Sequence, residues 1–282
     1  MVTGAGGFTG RHFCKLAVDS GYEVVAVKSD LLDRSSLQAE LEHANPNFVV
    51  HLAGVSFVGS ADTASFYAVN VIGTTNLLDI ITELPNTPVK ILLASSASVY
   101  GNYDVSAINE TVPLSPANHY GASKCAMEHL SRTYSRKLPV VIARPFNYTG
   151  RGQRVEFVIP KLVDHFLKRK PSISLGNINV EREFNDVQMV CNLYLKLLSI
   201  GVAGEAYNIC TGKVYSLENV IEILAKLTGH SMAISINPEL VRANEIKSLR
   251  GDPGKIKDLF QKYSVGFPSA SIEKTLRDML AC

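Results

Sequence analysis

No two cysteines in this chain stand in a CxxC arrangement, and the five present (14, 125, 191, 210 and 282) are scattered. That spacing argues against a zinc framework or a disulfide scaffold and fits reduced, small apolar residues. Charge is also scarce. Charged residues make up 19% of the chain and the net charge is +2, so no basic field calls for nucleic acid and no acidic tail solvates a partner. Apolar runs long enough to span a membrane are missing, as is a charged-then-apolar leader near Met1. These absences leave a cytosolic globular protein with no nucleic-acid or membrane partner, and the 46% hydrophobic content is ordinary for that class.

What the chain does have is a rhythm. The runs "YEVVAV" (22–27), "NFVVHLA" (47–53), "VKILLAS" (89–95) and "PVVIAR" (139–144) are continuously apolar, as strands covered on both faces should be. Helical patterns near 8–20, 34–44, 62–84 and 118–137 alternate with them. This predicts βαβ units and a doubly wound parallel sheet. After about residue 147 the rhythm breaks into turn-rich stretches such as "NYTGRGQ", and helical patterns return at 154–169, 187–200 and 216–229. The expected fold class is therefore α/β. A Rossmann-type domain covers 1–147 plus about 184–212, and a smaller irregular α/β substrate domain covers 148–183 and 213–282.

"TGAGGFTG" places Gly4, Gly7 and Gly10 three apart, at a strand end and opening a helix. One glycine makes the tight turn, another lets the backbone approach a pyrophosphate, and the third lets helix pack on strand. By itself this is a Gly-rich βα turn; at the head of a βαβ series it marks a dinucleotide site. Only Met1 and Val2 precede the loop, where a buried strand of about five residues is expected, so further residues are expected upstream. An NAD site usually carries an acid at the end of the second strand. Here that place falls on Lys28, whose charge would attract a 2′-phosphate and favours NADP(H). If Lys28 is merely solvated, Asp30 reaches the ribose and NAD(H) becomes the cofactor.

"YGASK" puts Tyr120 and Lys124 four apart, on one face of a helix. A phenol titrates near 10 and is a poor proton shuttle at neutral pH; a neighbouring ammonium is expected to lower that value. The pair then moves a proton at a carbonyl or carbinol oxygen while hydride passes to or from the cofactor. Surface placement is the bland reading of such a pair. Its position, after a glycine loop and a strand ending in "SSASVYG" (95–101), argues otherwise. His119, beside Tyr120, reads as a capping or solvated residue, and no metal-ligand cluster stands out.

The pieces "TGAGGFTG", "HLAG" (51–54), "NVIGTTNLL" (70–78), "SSASVYG", "YGASK", "RPFN" (144–147), "REFNDV" (182–187) and "YNICTG" (207–212) run in order across nearly the whole chain. Together they resemble the extended short-chain dehydrogenase/reductase family, in its branch acting on nucleotide-diphosphate sugars. The resemblance implies Ser96, Tyr120 and Lys124 as catalytic residues, with Ser96 hydrogen-bonding the substrate oxygen. It implies a cofactor site formed by Gly4, Gly7, Phe8, Thr9, Gly10, Lys28, Asp30, Leu31, Leu52, Ala53, Gly54 and Asn70. Tyr120, Lys124, Pro145 and Phe146 complete it, the last two flanking the nicotinamide. Asn147, Arg182 and Arg242 would contact the sugar diphosphate, since guanidinium forks suit a pyrophosphate, and Glu245 the base or ribose.

Dehydratases of this family carry acids immediately after the Ser/Thr. Here those places are Ala97 and Ser98, which disfavours dehydration. "LGNINVEREFNDV" and "NPELVRANEIKSLRGD" most resemble reductases of GDP-4-keto-6-deoxy-mannose, although Arg151 stands where the family commonly has proline. Three functions follow in order: a 4-ketoreductase of an activated deoxysugar, an NAD-dependent 4-epimerase, and a non-catalytic binding protein of the same fold. The resemblance also implies a homodimer built from helices 62–84 and 118–137, in which Phe66, Val69, Gly73, Asn76, Leu77, Met127, Leu130 and Tyr134 recur at helical spacing.

Overall fold

A computed structural model describes residues 1–56, 62–103, 105–240 and 248–281. Five strands form one sheet in the spatial order β1 (Val2–Thr3), β2 (Phe48–His51), β3 (Lys90–Ala94), β4 (Val140–Pro145) and a fifth, Ala206–Ile209. Every pairing is parallel. The strand expected at 22–27 is reduced to a single bridge between Ala26 and Val2, with Val2 N–H donating to Val25 O at 2.8 Å and Val27 N–H to Val2 O at 2.9 Å. It lies at the open edge beside a strand only two residues long, which offers little ladder to pair with.

The helices are α1 (Phe8–Asp19), α2 (Arg34–Ala44), α3 (Ala64–Tyr67), α4 (Thr74–Glu83), α5 (His119–Arg132), α6 (Val158–Leu167), α7 (Val187–Ile200), α8 (Leu217–Thr228), α9 (Gly254–Lys262) and α10 (Ile272–Leu280). A π-helical segment, Ala68–Gly73, joins α3 to α4 without a break. Side-chain caps explain several starts. Asp33 accepts from Ser36 N–H, Asn118 from Gly121 N–H, Asp186 from Gln188 and Met189 N–H, and Ser216 forms a capping box with Asn219. Among the described residues, no helix is long and apolar enough to cross a membrane.

Alternate strand residues feed two apolar layers. Val50, Leu92 and Val141 pack with Phe13 of α1 and with Val190, Tyr194 and Leu197 of α7. Val49, Ile91 and Leu93 pack on the other side with Leu37, Leu41, Leu77, Ile81 and Met127. Cover on both faces is why these strands read as unbroken apolar runs. Leu162, Phe166, Leu224 and Leu276 build a separate small core from α6, α8 and α10. The short strands Tyr148–Thr149 and Asn185–Asp186 pair in parallel, so the chain passes this point twice, side by side.

From β1 the chain runs outward to the 25–27 edge and then returns to β2 on the opposite side of β1. Such a reversal opens a crevice beyond the carboxyl ends of the strands, where doubly wound sheets bind ligands.

Candidate active site

The glycine loop forms one wall of that crevice. Gly4 has φ +67°, and a Cβ on it would stand 2.6 Å from Ala53 N, so the loop is pressed against the Leu52–Ala53–Gly54 turn. Gly10 packs against the Gly4 carbonyl with no room for a side chain. Gly7 caps α1 with no side-chain acceptor, and the first turn carries no acid. That donor set, N–H groups at a positive helix end, fits a pyrophosphate. Phe8 stacks on Tyr148 at 6.1 Å, and the Thr9 and Tyr148 hydroxyls are 2.8 Å apart.

Below the loop runs a buried chain of hydrogen bonds centred on His51. Thr74 Oγ1 donates its proton to Asn70 O at 2.8 Å, so it must accept from His51 Nε2–H at 2.9 Å. His51 Nδ1 is then the acceptor for Thr3 Oγ1–H at 2.7 Å, and Thr3 Oγ1 accepts from Ala53 N–H at 3.2 Å. Burial, helped by the nearby Lys124 charge, pulls the His51 pKa down to about 3, so this ring is neutral across the working range. Asn70, on the π turn, holds the next link. Its Oδ1 accepts from Val55 N–H at 3.0 Å and its Nδ2 donates to Val55 O at 3.1 Å and Ser123 Oγ at 3.0 Å. A Cβ on Gly54 would stand 2.8 Å from Asn70 Oδ1 and 3.3 Å from Lys124 Nζ. Gly54, Asn70 and Lys124 are therefore brought together.

Ser96 and Tyr120 also meet. Ser96, two residues beyond the end of β3, caps the turn Ala97–Val99, its Oγ accepting from Ser98 N–H at 3.1 Å. Burial raises the Tyr120 pKa, and its hydrogen bond with Ser96 opposes the rise only partly. This corrects the expectation of a lowered value: the Lys124 ammonium donates to Ala94 O at 2.8 Å, and desolvation outweighs any help to the phenolate. Burial also pulls Lys124 down to about 8, against the opposing pull of Glu128. In this state Tyr120 is a protonated phenol at neutral pH, a proton donor rather than a base.

One helical turn beyond Lys124, Glu128 is fully buried and clasped by Arg144 from β4. Arg144 Nη2 donates to Oε2 at 2.6 Å and Nε to Oε1 at 3.0 Å. Ser95 Oγ donates to Glu128 Oε1 at 2.5 Å, Arg144 Nη1 to Tyr100 Oη at 2.8 Å, and Tyr100 Oη to Asn208 Oδ1 at 2.7 Å. The network joins the turn carrying Ser96, the helix carrying Tyr120 and Lys124, and the strand leading to Pro145.

Other expected site residues fall differently. The Phe146 ring, expected to flank the nicotinamide, is 1% exposed and packs with Tyr100, Cys210 and Leu249. Leu31, expected at the cofactor, is buried against Leu37 and Leu77, while its carbonyl accepts from Asn76 Nδ2 at 2.9 Å. Each is needed for packing because a buried cluster lies directly behind its stretch of backbone. Lys28 and Asp30 are exposed at the crevice edge, and Asp30 Oδ1 accepts from Leu32 N–H. Pro145 is buried at the end of β4. Asn147 is exposed, and its carbonyl accepts from Asn185 N–H at 2.9 Å. Arg182 is half-buried and pairs by backbone with Tyr215 and Leu249. Arg242 and Glu245 lie outside the described residues.

Sequence reasoning missed Glu183, a fully buried carboxylate that accepts from Gly251 N–H at 2.7 Å, Thr211 N–H at 2.8 Å and Asn185 Nδ2 at 3.1 Å. It ties three segments together behind Arg182. Its signal was an acid placed inside the otherwise recognisable "REFNDV" stretch.

Comparison with known proteins agrees with this geometry. The family model described as GDP-mannose 4,6 dehydratase matches residues 25–279. GDP-6-deoxy-D-talose 4-dehydrogenase of Aggregatibacter actinomycetemcomitans is 36% identical, over 91% of this chain and 89% of its own length. GDP-6-deoxy-D-mannose reductase of Pseudomonas aeruginosa is 33% identical, over 100% of this chain and 95% of its own. The structure of RMD from Pseudomonas aeruginosa complexed with NADPH superposes with a TM-score of 0.89 at 32% identity, covering 99% of this chain and 95% of that one. With its parallel sheet, glycine crevice and clustered Ser96 and Tyr120, the chain belongs to the GDP-mannose 4,6-dehydratase family of extended, NAD(P)-dependent short-chain dehydrogenases/reductases.

Proposed function

We propose that the chain is an NADP(H)-dependent 4-ketoreductase of a nucleotide-diphosphate 4-keto-6-deoxy-hexose, with a GDP sugar as substrate. The observation that carries this reading is the placement of Tyr120 and Lys124 on one helix, with Lys124 against the Gly54 turn and Tyr120 beside Ser96, and with Ala97 and Ser98 where a dehydratase needs acids. Both GDP-sugar relatives support the choice of base, and the NADPH complex of the related reductase supports the choice of cofactor. A bound reduced nicotinamide supplies hydride to C4. Ser96 orients the C4 oxygen, and Tyr120 delivers its proton to the oxygen as negative charge develops there. Lys124, buried beside Gly54, holds the nicotinamide ribose and limits the charge left on the phenolate. In the same reading the segments 148–183 and 213–282 hold the sugar nucleotide, with Asn147, Arg182 and Arg242 on its diphosphate and Glu245 on the nucleoside.

The test is absorbance at the reduced-nicotinamide band with GDP-4-keto-6-deoxy-mannose as substrate. Net consumption of NADPH is the expected result. Interconversion of 4-hydroxy epimers without consumption would make the chain an epimerase instead.

The reading includes a cytosolic homodimer formed by the outer sides of α3–α4 and α5. Phe66, Leu77 and Met127 are spent on the subunit's own core, at 2%, 0% and 0% exposure. The face turned away from it still carries Tyr67 at 37% and Ile72 at 55% exposure, the second apolar side a symmetric contact would cover. Sedimentation at micromolar concentration is expected to show a dimer, and Ile72→Glu to shift it toward monomer. A wild-type monomer at that concentration would refute the assembly.

A further inference from the structure

Beyond the edge segment 25–27, the backbone turns through Lys28 and Ser29 toward α2. Two successive N–H groups there point at one carboxylate. Lys28 N–H donates to Glu40 Oε1 at 3.0 Å and Oε2 at 3.2 Å, and Ser29 N–H donates to Oε2 at 3.0 Å. The Ser29 hydroxyl adds a bond to Oε2 at 2.7 Å. Successive amides aimed at one anion form a nest, which accepts phosphate as well as carboxylate. Its place matters. Residues 25–27 lie directly beside β1, so the nest stands next to the glycine loop, where a doubly wound fold presents an acid to the adenosine ribose. Residue 28 is a lysine, so the strand itself supplies no acid. The carboxylate arrives from α2, twelve residues along the chain.

We propose that Glu40 is a specificity-determining residue of the dinucleotide site, filling the Lys28–Ser29 nest from α2 and setting how strongly an adenosine 2′-phosphate is preferred over a free 2′-hydroxyl. The inference rests on the reading that the crevice holds NADP(H) or NAD(H). With Glu40 seated, the donors of the nest are taken and a fixed negative charge stands beside the ribose position. A 2′-hydroxyl can donate to that carboxylate. A 2′-phosphate is repelled by it and must compete with it for the same N–H groups. The exposed Lys28 side chain pulls the other way, so selectivity is the difference between a cation and an anion anchored at one turn. Partial burial works against ionisation of Glu40, but the bonds from Ser29 and Lys28 outweigh it and hold its pKa below the usual value. The charge is therefore present at neutral pH.

Isothermal titration of wild type and Glu40→Gln with NADP⁺, NAD⁺, 2′,5′-ADP and 5′-ADP tests this without turnover. Glutamine keeps the side chain's length and removes its charge. The ratio of Kd for NAD⁺ to Kd for NADP⁺ should rise by about tenfold, and the 5′-ADP to 2′,5′-ADP ratio should rise with it. An unchanged ratio, or one moving toward NAD⁺, overturns the role of Glu40 and leaves the ketoreductase reading standing. A wild-type protein that binds neither dinucleotide overturns both. Should the glutamine variant fail to fold, Glu40→Ala is read by the same ratios.

Discussion

Tyr120→Phe is expected to lower kcat by about 10²–10⁴-fold while NADP⁺ affinity stays within a few fold. Phenylalanine keeps the ring that lies 6.1 Å from Phe66 and deletes only the hydroxyl that Ser96 bonds. Hydride transfer would then leave an alkoxide that Ser96 can hydrogen-bond but that no phenol protonates. Lys124→Ala should damage both quantities, because its ammonium is buried in contact distance of the Gly54 turn as well as on the Tyr120 helix. Stopped-flow turnover and equilibrium cofactor binding on the same preparations separate the two cases. A Tyr120→Phe protein retaining a tenth or more of wild-type kcat would remove Tyr120 from the mechanism.

The other large effect falls on stability. Glu128 and Arg144 are 0% and 2% exposed, and each satisfies the other. Glu128→Ala strands a guanidinium that can neither lose its proton nor reach water, and breaking a buried pair of this kind costs about 3–5 kcal/mol. Removing both charges together, as Glu128→Leu with Arg144→Met, should cost less than the single change, because no orphaned ion remains. Urea unfolding of the two single variants and the double variant measures the difference. A Glu128→Ala cost inside the roughly 0.5 kcal/mol of an ordinary surface change would mean that water already reaches the pair. The network also fastens Ser95, next to Ser96, so surviving Glu128 variants should lose kcat before they lose cofactor affinity.

Helix extents were legible where local signals agree. The patterns at 34–44 and 187–200 match α2 and α7 residue for residue, and each helix starts on an aspartate cap that the sequence displays. The run at 22–27 carries the same apolar signal as the true strands. What it lacks is a partner of sufficient length, which no property of the run itself records. In the site, the Tyr120–Lys124 pair reads from its spacing of one helical turn, whereas the approach of Ser96 to Tyr120 is made by the fold. Glu40 on the Lys28 turn, Arg144 on Glu128 and Thr3 on His51 join residues 12, 16 and 48 positions apart, and only the folded chain makes those pairs. At Phe146 and Leu31 the side chain is spent on packing. A motif places a residue at the cofactor, but the direction of its side chain is decided by the packing behind it.

The π segment between α3 and α4 accommodates one residue more than a regular helical turn would. Upstream of it Phe66 is buried in the subunit, and downstream Thr74 and Leu77 are buried as well. Excising one residue between Asn70 and Thr74 would break the four-residue spacing by which Thr74 Oγ1 reaches Asn70 O, and Asn70 and Thr74 could not both keep their bonds to Val55 and His51. Many side chains are acceptable at the outward positions of this stretch, but its length is not negotiable. In this part of the protein, the count of residues is itself a functional property.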